Sequence, residues 1–199
     1  MESQDPAAPR PRPGGRSARV VTAVHAATLE LLEEVGYEML QLSDVAKRAE
    51  VNKTTVYRRW PTKTALVVDL LTSYTRGAVA TPDTGSLQAD LEQLLRDVVG
   101  ALANRAIRAV LSGALTGADN GDNVRIAQAR FWEERFRLGG TIVDRAVTRG
   151  EVPPGTDPRA LLEMAAGPVY FRTLFTVDAV TPEYLRDTAQ RAIRAFAER

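Results

Sequence analysis

Apolar residues recur along this chain at helical spacing, and nowhere do they alternate for long enough to write a strand. Val20, Val24, Ala27, Leu31 and Val35 mark a first helix, which Gly36 ends. Val45, Ala46 and Ala49 are the inner face of a short helix that Ser43 is placed to cap. A tight turn at Glu50-Val51 follows, and Asn52 caps a second short helix that ends near Arg59. A fourth helix starts at about Thr62 and carries Leu66, Val67, Leu70, Leu71 and Tyr74. The run Thr81-Pro82-Asp83-Thr84-Gly85 breaks it and reads as a flexible joint. Five more helices are expected beyond that joint. One carries Leu87, Leu91, Leu94, Leu95, Val98 and Leu102; a shorter one carries Ile107, Val110, Leu111 and Leu115. After a loop at Gly117–Asp122, a long helix runs from about Val124 to Arg149, where Gly150 and Pro153-Pro154 stop it. Asp157-Pro158 and Thr181-Pro182 each set a capping residue before a proline at the first helical position. The expected fold is all-α, with about nine helices in a three-helix N-terminal head and a C-terminal bundle.

The boundaries follow from these breaks. Residues 1–15 hold four prolines and two glycines with few apolar side chains, a composition that predicts a disordered arm. Arg10, Arg12, Arg16 and Arg19 follow one another with no acid between them. Such an arm either enters a minor groove or is a solvated tail. Residues 16–62 then form the head, 63–80 a connecting helix and 86–199 the body.

Charge changes the picture in one place. The chain has 199 residues, 44% hydrophobic and 26% charged, with a formal net charge of only +1, so affinity for nucleic acid has to come from local clustering. The three lysines, Lys47, Lys53 and Lys63, all fall in the head. Between Lys47 and Lys63 six basic residues face a single acid, Glu50. The second short helix turns Lys53, Thr54, Thr55, Tyr57, Arg58 and Arg59 outward, which suits entry into a DNA major groove. Lys53, Thr54, Thr55 and Arg58 are placed to read bases, with Arg58 able to grip a guanine through two hydrogen bonds. Ser43, Tyr57, Arg59 and Lys63 are better placed for phosphates, which position a protein without reading sequence. Alternatively, Tyr57 and Trp60 pack between helices, and Lys47 and Arg48 are a solvated face.

Gly36-Tyr37, the Ser43–Ala49 helix, Val51-Asn52-Lys53-Thr54-Thr55-Val56-Tyr57 and Trp60-Pro61-Thr62-Lys63 together resemble the TetR family of bacterial transcriptional regulators. The resemblance covers roughly residues 17 to 70; the rest is similar only in being helical and of suitable length. It implies a helix-turn-helix DNA-binding head and a body that binds a ligand and dimerises. One departure is Glu50, where the family's turn commonly carries glycine. If φ is positive there, Glu50 adds roughly 1 kcal/mol of strain.

The body offers two apolar concentrations. Arg130–Phe136 contains Phe131, Trp132 and Phe136, and the segment from Leu161 to Phe175 is apolar on nearly every side, including Met164, Tyr170, Phe171 and Phe175. A helix apolar all round needs cover on several faces, from a partner subunit or a ligand. Those seven residues are the candidate ligand pocket; Arg130, Arg135 or Arg172 would supply a counter-charge to an anion. The alternative is a bent core helix, since Pro168 lacks an N–H and predicts a kink. Leu161, Leu185, Ala189, Ala192, Ile193 and Phe196 are the candidate dimer interface across a two-fold axis, an arrangement the resemblance also implies, against a monomer-core reading.

Catalysis finds little support. His25 is the only histidine and cysteine is absent, so no cysteine nucleophile or histidine-rich metal site is written, and neither a cofactor nor a metal is expected. No stretch of about 18 apolar residues spans a membrane and no apolar signal core begins the chain, so a cytoplasmic protein is expected. The function expected is a homodimeric, sequence-specific transcriptional regulator. It acts as a repressor released from a pseudo-palindromic double-stranded DNA operator by a small hydrophobic or aromatic effector. A regulator that senses nothing, and a helical enzyme or interaction module, stand as alternatives.

Overall fold

In the computed structural model, which describes residues 15–116 and 122–197, nine helices and no strand are found among the described residues. The head comprises α1 (Gly15–Met39), α2 (Leu42–Arg48) and α3 (Lys53–Arg59), and α4 (Lys63–Ala78) leads out of it. The body comprises α5 (Leu87–Ala103), α6 (Arg105–Thr116), α7 (Asp122–Thr148), α8 (Pro158–Phe175) and α9 (Pro182–Ala197). Arg16 and Arg19 thus belong to α1, while the rest of the expected arm and most of the Gly117–Asp122 loop lie outside the described residues.

Apolar periodicity becomes one continuous core. Val24, Leu31, Val45, Val56, Leu66 and Leu70 close the head, and Leu87, Leu91, Leu95, Ile142 and Leu161 fill the body. Burying each such leucine stabilises the fold by roughly 1.5–3 kcal/mol. Helix α5 is central and packs against α4, α6, α7, α8 and α9. Head and α4 meet the body along α1 on α6 and α4 on α5 and α7. Between α7 and α8, a Cβ at Gly139 would come within 3.0 Å of Leu162 Cδ1, so glycine permits that close approach.

The expected flexible joint is instead a pinned strap. Pro82 is buried and its carbonyl accepts a hydrogen bond from Arg145, whose Nε lies 3.3 Å from Asp83 Oδ1. Thr84 donates its N–H and its hydroxyl to Asp90 Oδ1 at 2.6 and 2.7 Å. The other Asp90 oxygen receives no hydrogen bond and faces the Arg149 guanidinium at 3.5 Å. Glu151, beyond α7, accepts the first amide of α5, Leu87 N–H, at 2.6 Å and also pairs with Arg149. Local composition favours flexibility here, but the partners arrive from some sixty residues along the chain, where local composition carries no signal.

Asp90 has a fully buried side chain whereas that of Asp83 is 63% exposed, so the two acids of the strap should respond differently to truncation. Asp90→Ala strands the Thr84 donors and the Arg149 charge and is expected to lower unfolding free energy by about 3 kcal/mol. Asp83→Ala should leave it almost unchanged. Urea unfolding at one fixed protein concentration checks this; equal effects would refute the pinned strap.

Candidate DNA interface and body cavity

The head is assembled around one carboxylate. Asp69 Oδ2, on α4, accepts a hydrogen bond from Trp60 Nε1 at 2.8 Å and lies 3.2 Å from His25 Nε2 on α1. Trp60 and His25 are both buried, with ring centroids 6.0 Å apart. Asp69 thereby ties α1, the end of α3 and α4 together. Trp60 is the packing residue that the sequence leaves open and His25 is structural. The sequence reading missed Asp69, although its i+9 spacing from Trp60 places it two turns into α4.

Capping follows the sequence in part. Asn52 Oδ1 accepts Thr54 N–H at 2.8 Å and starts α3, and Thr62 Oγ1 accepts Ala65 N–H at 3.1 Å and starts α4. Ser43, in contrast, does not cap α2. The helix begins two residues earlier than a Ser43 cap requires, at Leu42, so the N-cap is Gln41, which makes no side-chain cap bond. Ser43 sits half-buried in the first turn.

The turn between α2 and α3 is a Schellman motif. Val51 N–H bonds to Ala46 O at 3.0 Å and Glu50 N–H to Lys47 O at 3.2 Å. The motif puts Glu50 at φ 54°, the only positive φ of a non-glycine among the described residues. At the end of α7 the same pair of bonds, Glu151 N–H to Ala146 O and Gly150 N–H to Val147 O, is made with glycine at φ 75°. The strain foreseen at Glu50 is therefore present.

The basic residues of the head divide by what they touch. Arg48 is bound to Glu30 and Glu34 of α1 at 3.2 and 2.8 Å, which raises its pKa and lowers that of Glu34. Arg59 stacks on Trp60, 5.2 Å from the ring centroid, and reaches Ser17 Oγ. Lys63 Nζ donates to the Tyr37 and Glu38 carbonyls at 3.1 and 2.8 Å and lies over the Tyr37 ring. These carbonyls are freed by the break in α1 at Gly36 (φ 75°), so Lys63 seals the end of α1 as well as starting α4. Lys53, Thr54 and Arg58 are exposed, Thr55 is half-buried and Tyr57 is 47% exposed. Among the described residues, Lys53 and Arg58 have no hydrogen-bond or ion-pair partner.

In the body a cavity of about 480 Å³ opens between α6, α7 and α8. Trp132, Phe136, Tyr170 and Phe175 line it as expected, joined by Leu111 and Leu174. Three of the expected lining residues lie elsewhere. Phe131 is buried in the core with its edge against Trp132, and Met164 and Phe171 are 47% and 62% exposed on the outer side of α8. The helix is apolar all round, as the sequence says, but periodicity does not reveal which stripe faces which neighbour. Pro168 is on that outer side too, and α8 runs through it unbroken; Tyr184 Oη donates to its carbonyl at 3.2 Å.

Burial pushes the Tyr170 hydroxyl up to about 12, so it remains a neutral donor at physiological pH. A smaller recess of about 50 Å³ shares Trp132, Phe136 and Tyr170 with the cavity and adds Arg135. Of the three arginines considered as counter-charges, only Arg135 is brought to this place. Arg130 is exposed, and Arg172 stacks 3.7 Å over Tyr184.

The expected dimer seam is corrected most strongly. Leu161, Leu185, Ala189 and Ala192 are at most 4% exposed within a single chain, because α9 packs on α5 and α8, and α8 packs on α5, α7 and α9. Ile193 and Phe196 are half-buried against the same core. The apolar face left outward belongs to α8: Met164, Phe171 and Phe175.

Comparison with known proteins agrees with this geometry. The family model described as bacterial regulatory proteins, tetR family, matches residues 25–70, and that of the tetracyclin repressor-like C-terminal domain matches residues 81–192. The chain is 32% identical over 155 residues to the HTH-type transcriptional regulator AqdR of Rhodococcus erythropolis, covering 78% of this chain and 74% of that protein. It is 27% identical over 188 residues to the HTH-type regulator YdeS of Bacillus subtilis (strain 168), covering 93% and 91%. Among solved structures, the TetR family transcription regulator SCO0332 superimposes with a TM-score of 0.75 at 26% identity, covering 88% of this chain and 97% of that one.

Replacing Glu50 by glycine should raise unfolding free energy by about 0.5 kcal/mol, the relieved left-handed strain of about 1 kcal/mol less the added freedom of the unfolded chain. Thermal or urea unfolding of the single variant checks it. A loss of stability would mean that the Glu50 side chain contributes more than its backbone costs.

Proposed function

This chain belongs to the tetR family of bacterial regulatory proteins and is a helix-turn-helix transcriptional regulator; from that premise we propose that it works as a homodimeric repressor in the cytoplasm, released from a pseudo-palindromic operator by a small aromatic or hydrophobic ligand. The observation that carries this reading is the division of labour among the basic residues. Arg48, Arg59 and Lys63 are engaged within the head, while Lys53 and Arg58 project from α3 with no partner in the described structure. Leaving two cations unpaired on one short helix has no structural benefit; a DNA groove supplies their counterpart.

Lys53, Thr54, Thr55 and Arg58 read bases in this proposal, and Ser43, Tyr57 and Arg59 hold phosphates. Lys63 keeps one of its three donors for a phosphate while two stay on the α1 carbonyls. The aromatic cavity of about 480 Å³ supports an effector site, being within the size range of small-molecule pockets. The outward Met164 and Phe171 of α8 support the two-fold contact with a second copy, which sets the two recognition helices about 34–36 Å apart on successive major grooves. Among the described residues no helix is long and apolar enough to cross a membrane.

Selection of binding sites from a random DNA pool, followed by affinity measurement at two salt concentrations, tests the reading. A two-fold related site with steep salt dependence is expected, because phosphate contacts release counterions. No enriched site from folded protein would refute it. On the selected site Arg58→Ala should relax preference at one base pair of each half-site, a loss of about 1–3 kcal/mol there. Lys63→Ala should weaken all sequences alike and also lower stability by about 1 kcal/mol. Separately, Phe171→Glu is expected to turn the dimer into monomers in sedimentation analysis and to cut operator affinity at least tenfold. An unchanged mass would place the two-fold contact elsewhere.

A further inference from the structure

Arg135 links the recess beside the aromatic cavity to the end of α4. On one side it lines the recess that opens beside the aromatic cavity, with Tyr170 and Trp132 as neighbours. On the other, its Nη2 donates to the Val79 carbonyl at 3.3 Å. Val79 is the C-cap of α4, the helix that begins at the DNA-binding head. A guanidinium offers five N–H donors, and this single bond is the only one Arg135 makes among the described residues.

The charge is only weakly compensated. Among the described residues Arg135 forms no ion pair, and burial holds its pKa below the usual guanidinium value against a smaller opposing pull from Glu134. The nearby Glu134 is bound to Arg137 at 2.8 Å, and Arg159, which lines the cavity, is bound to Glu163 at 2.8 Å. A part-buried cation without a counter-ion beside an apolar cavity is costly unless something anionic completes it. The walls specify the rest of that group: Trp132 and Phe136 present ring surfaces, and the Tyr170 hydroxyl is a neutral donor.

We propose that Arg135 receives the carboxylate of an aromatic acid in this cavity and, by giving up the Val79 carbonyl to do so, transmits ligand binding to α4 and the DNA-binding head. This rests on the reading of the cavity as an effector site. An Arg–carboxylate contact made through two parallel hydrogen bonds outcompetes a single bond to a neutral carbonyl, so the exchange runs in the direction of ligand binding. Loss of the bond uncaps the end of α4 opposite the one that carries the recognition helix.

The test uses 2-naphthoate and its neutral counterpart 2-naphthamide as probes of one shape and two charges. Calorimetry on the full chain should give at least tenfold tighter binding of the naphthoate. The preference should fall below twofold in Arg135→Gln and persist in Arg135→Lys, with circular dichroism reporting that both variants remain folded. Unliganded Arg135→Gln should bind the selected operator at least fivefold more weakly than the parent and should no longer respond to naphthoate. Equal affinities for the two probes, binding of neither, or a preference that survives Arg135→Gln would overturn the assignment of the acid site. Parental operator affinity and a full naphthoate response in Arg135→Gln would overturn the link to α4. If no operator is selected at all, the calorimetric arms still stand, and that failure counts against the DNA-binding reading alone.

Discussion

Helix α4 is held at both ends, and the rest of the molecule depends on that. At its start Lys63 and Thr64 fasten it to the end of α1 through Tyr37 and its neighbouring carbonyls, and two turns in the Asp69 carboxylate gathers Trp60 and His25. At its far end Val79 is held by Arg135, and the strap beyond is pinned by Arg145 and Asp90. A short recognition helix of seven residues has little stability of its own, since an isolated helix of that length does not persist in water. Its orientation is therefore borrowed from α4 through Trp60 at its C-terminal end, while the Asn52 cap fixes its start locally.

Glu50 shows how that arrangement tolerates a local cost. The turn needs a left-handed residue because the Schellman bonds from Val51 and Glu50 close on the end of α2. Glycine serves that need at the end of α7, and glutamate serves it here at φ 54°. The packing of Val45, Ala46 and Val56 on either side over-determines the turn, so a strain of about 1 kcal/mol does not reshape it.

Much of this was legible in the sequence, and what was not has a consistent physical cause. Element order, the Asn52 and Asp157 caps and the place of the tight turn at Glu50 follow from spacing and local chemistry, because they are determined within a few residues. The stripe of Leu185, Ala189 and Ala192 was visible as a stripe, but a period of 3.6 says only that a face is covered. It does not say whether helices of the same chain or a second copy cover it, and here α5 and α8 do. The same blindness sent Met164 and Phe171 into the cavity in the sequence reading, whereas Trp132 and Tyr170 are truly there. The strap failed for the opposite reason: Thr81–Gly85 is locally a breaker, and the arginines that fix it belong to α7. Long-range ion pairs leave no periodic trace.

The coupling proposed through Arg135 is of a suitable size. A hydrogen bond from a charged group contributes roughly 1.5–3 kcal/mol, and allosteric coupling of 1–3 kcal/mol corresponds to a 5–150-fold change in affinity. One arginine–carbonyl contact is thus enough to bias the head without dismantling the core beneath it. The double pinning of α4 makes the effect directional. With the Asp69 cluster holding the start of the helix, a change at Val79 has to appear as a tilt of the helix between the two ends rather than as a loosening of the head. A body joined through a slack linker would dissipate the same change. The strap bonded to Asp90 and Arg145 removes that slack, so the stiff junction, which local composition conceals, is what lets a single part-buried guanidinium matter at a distance.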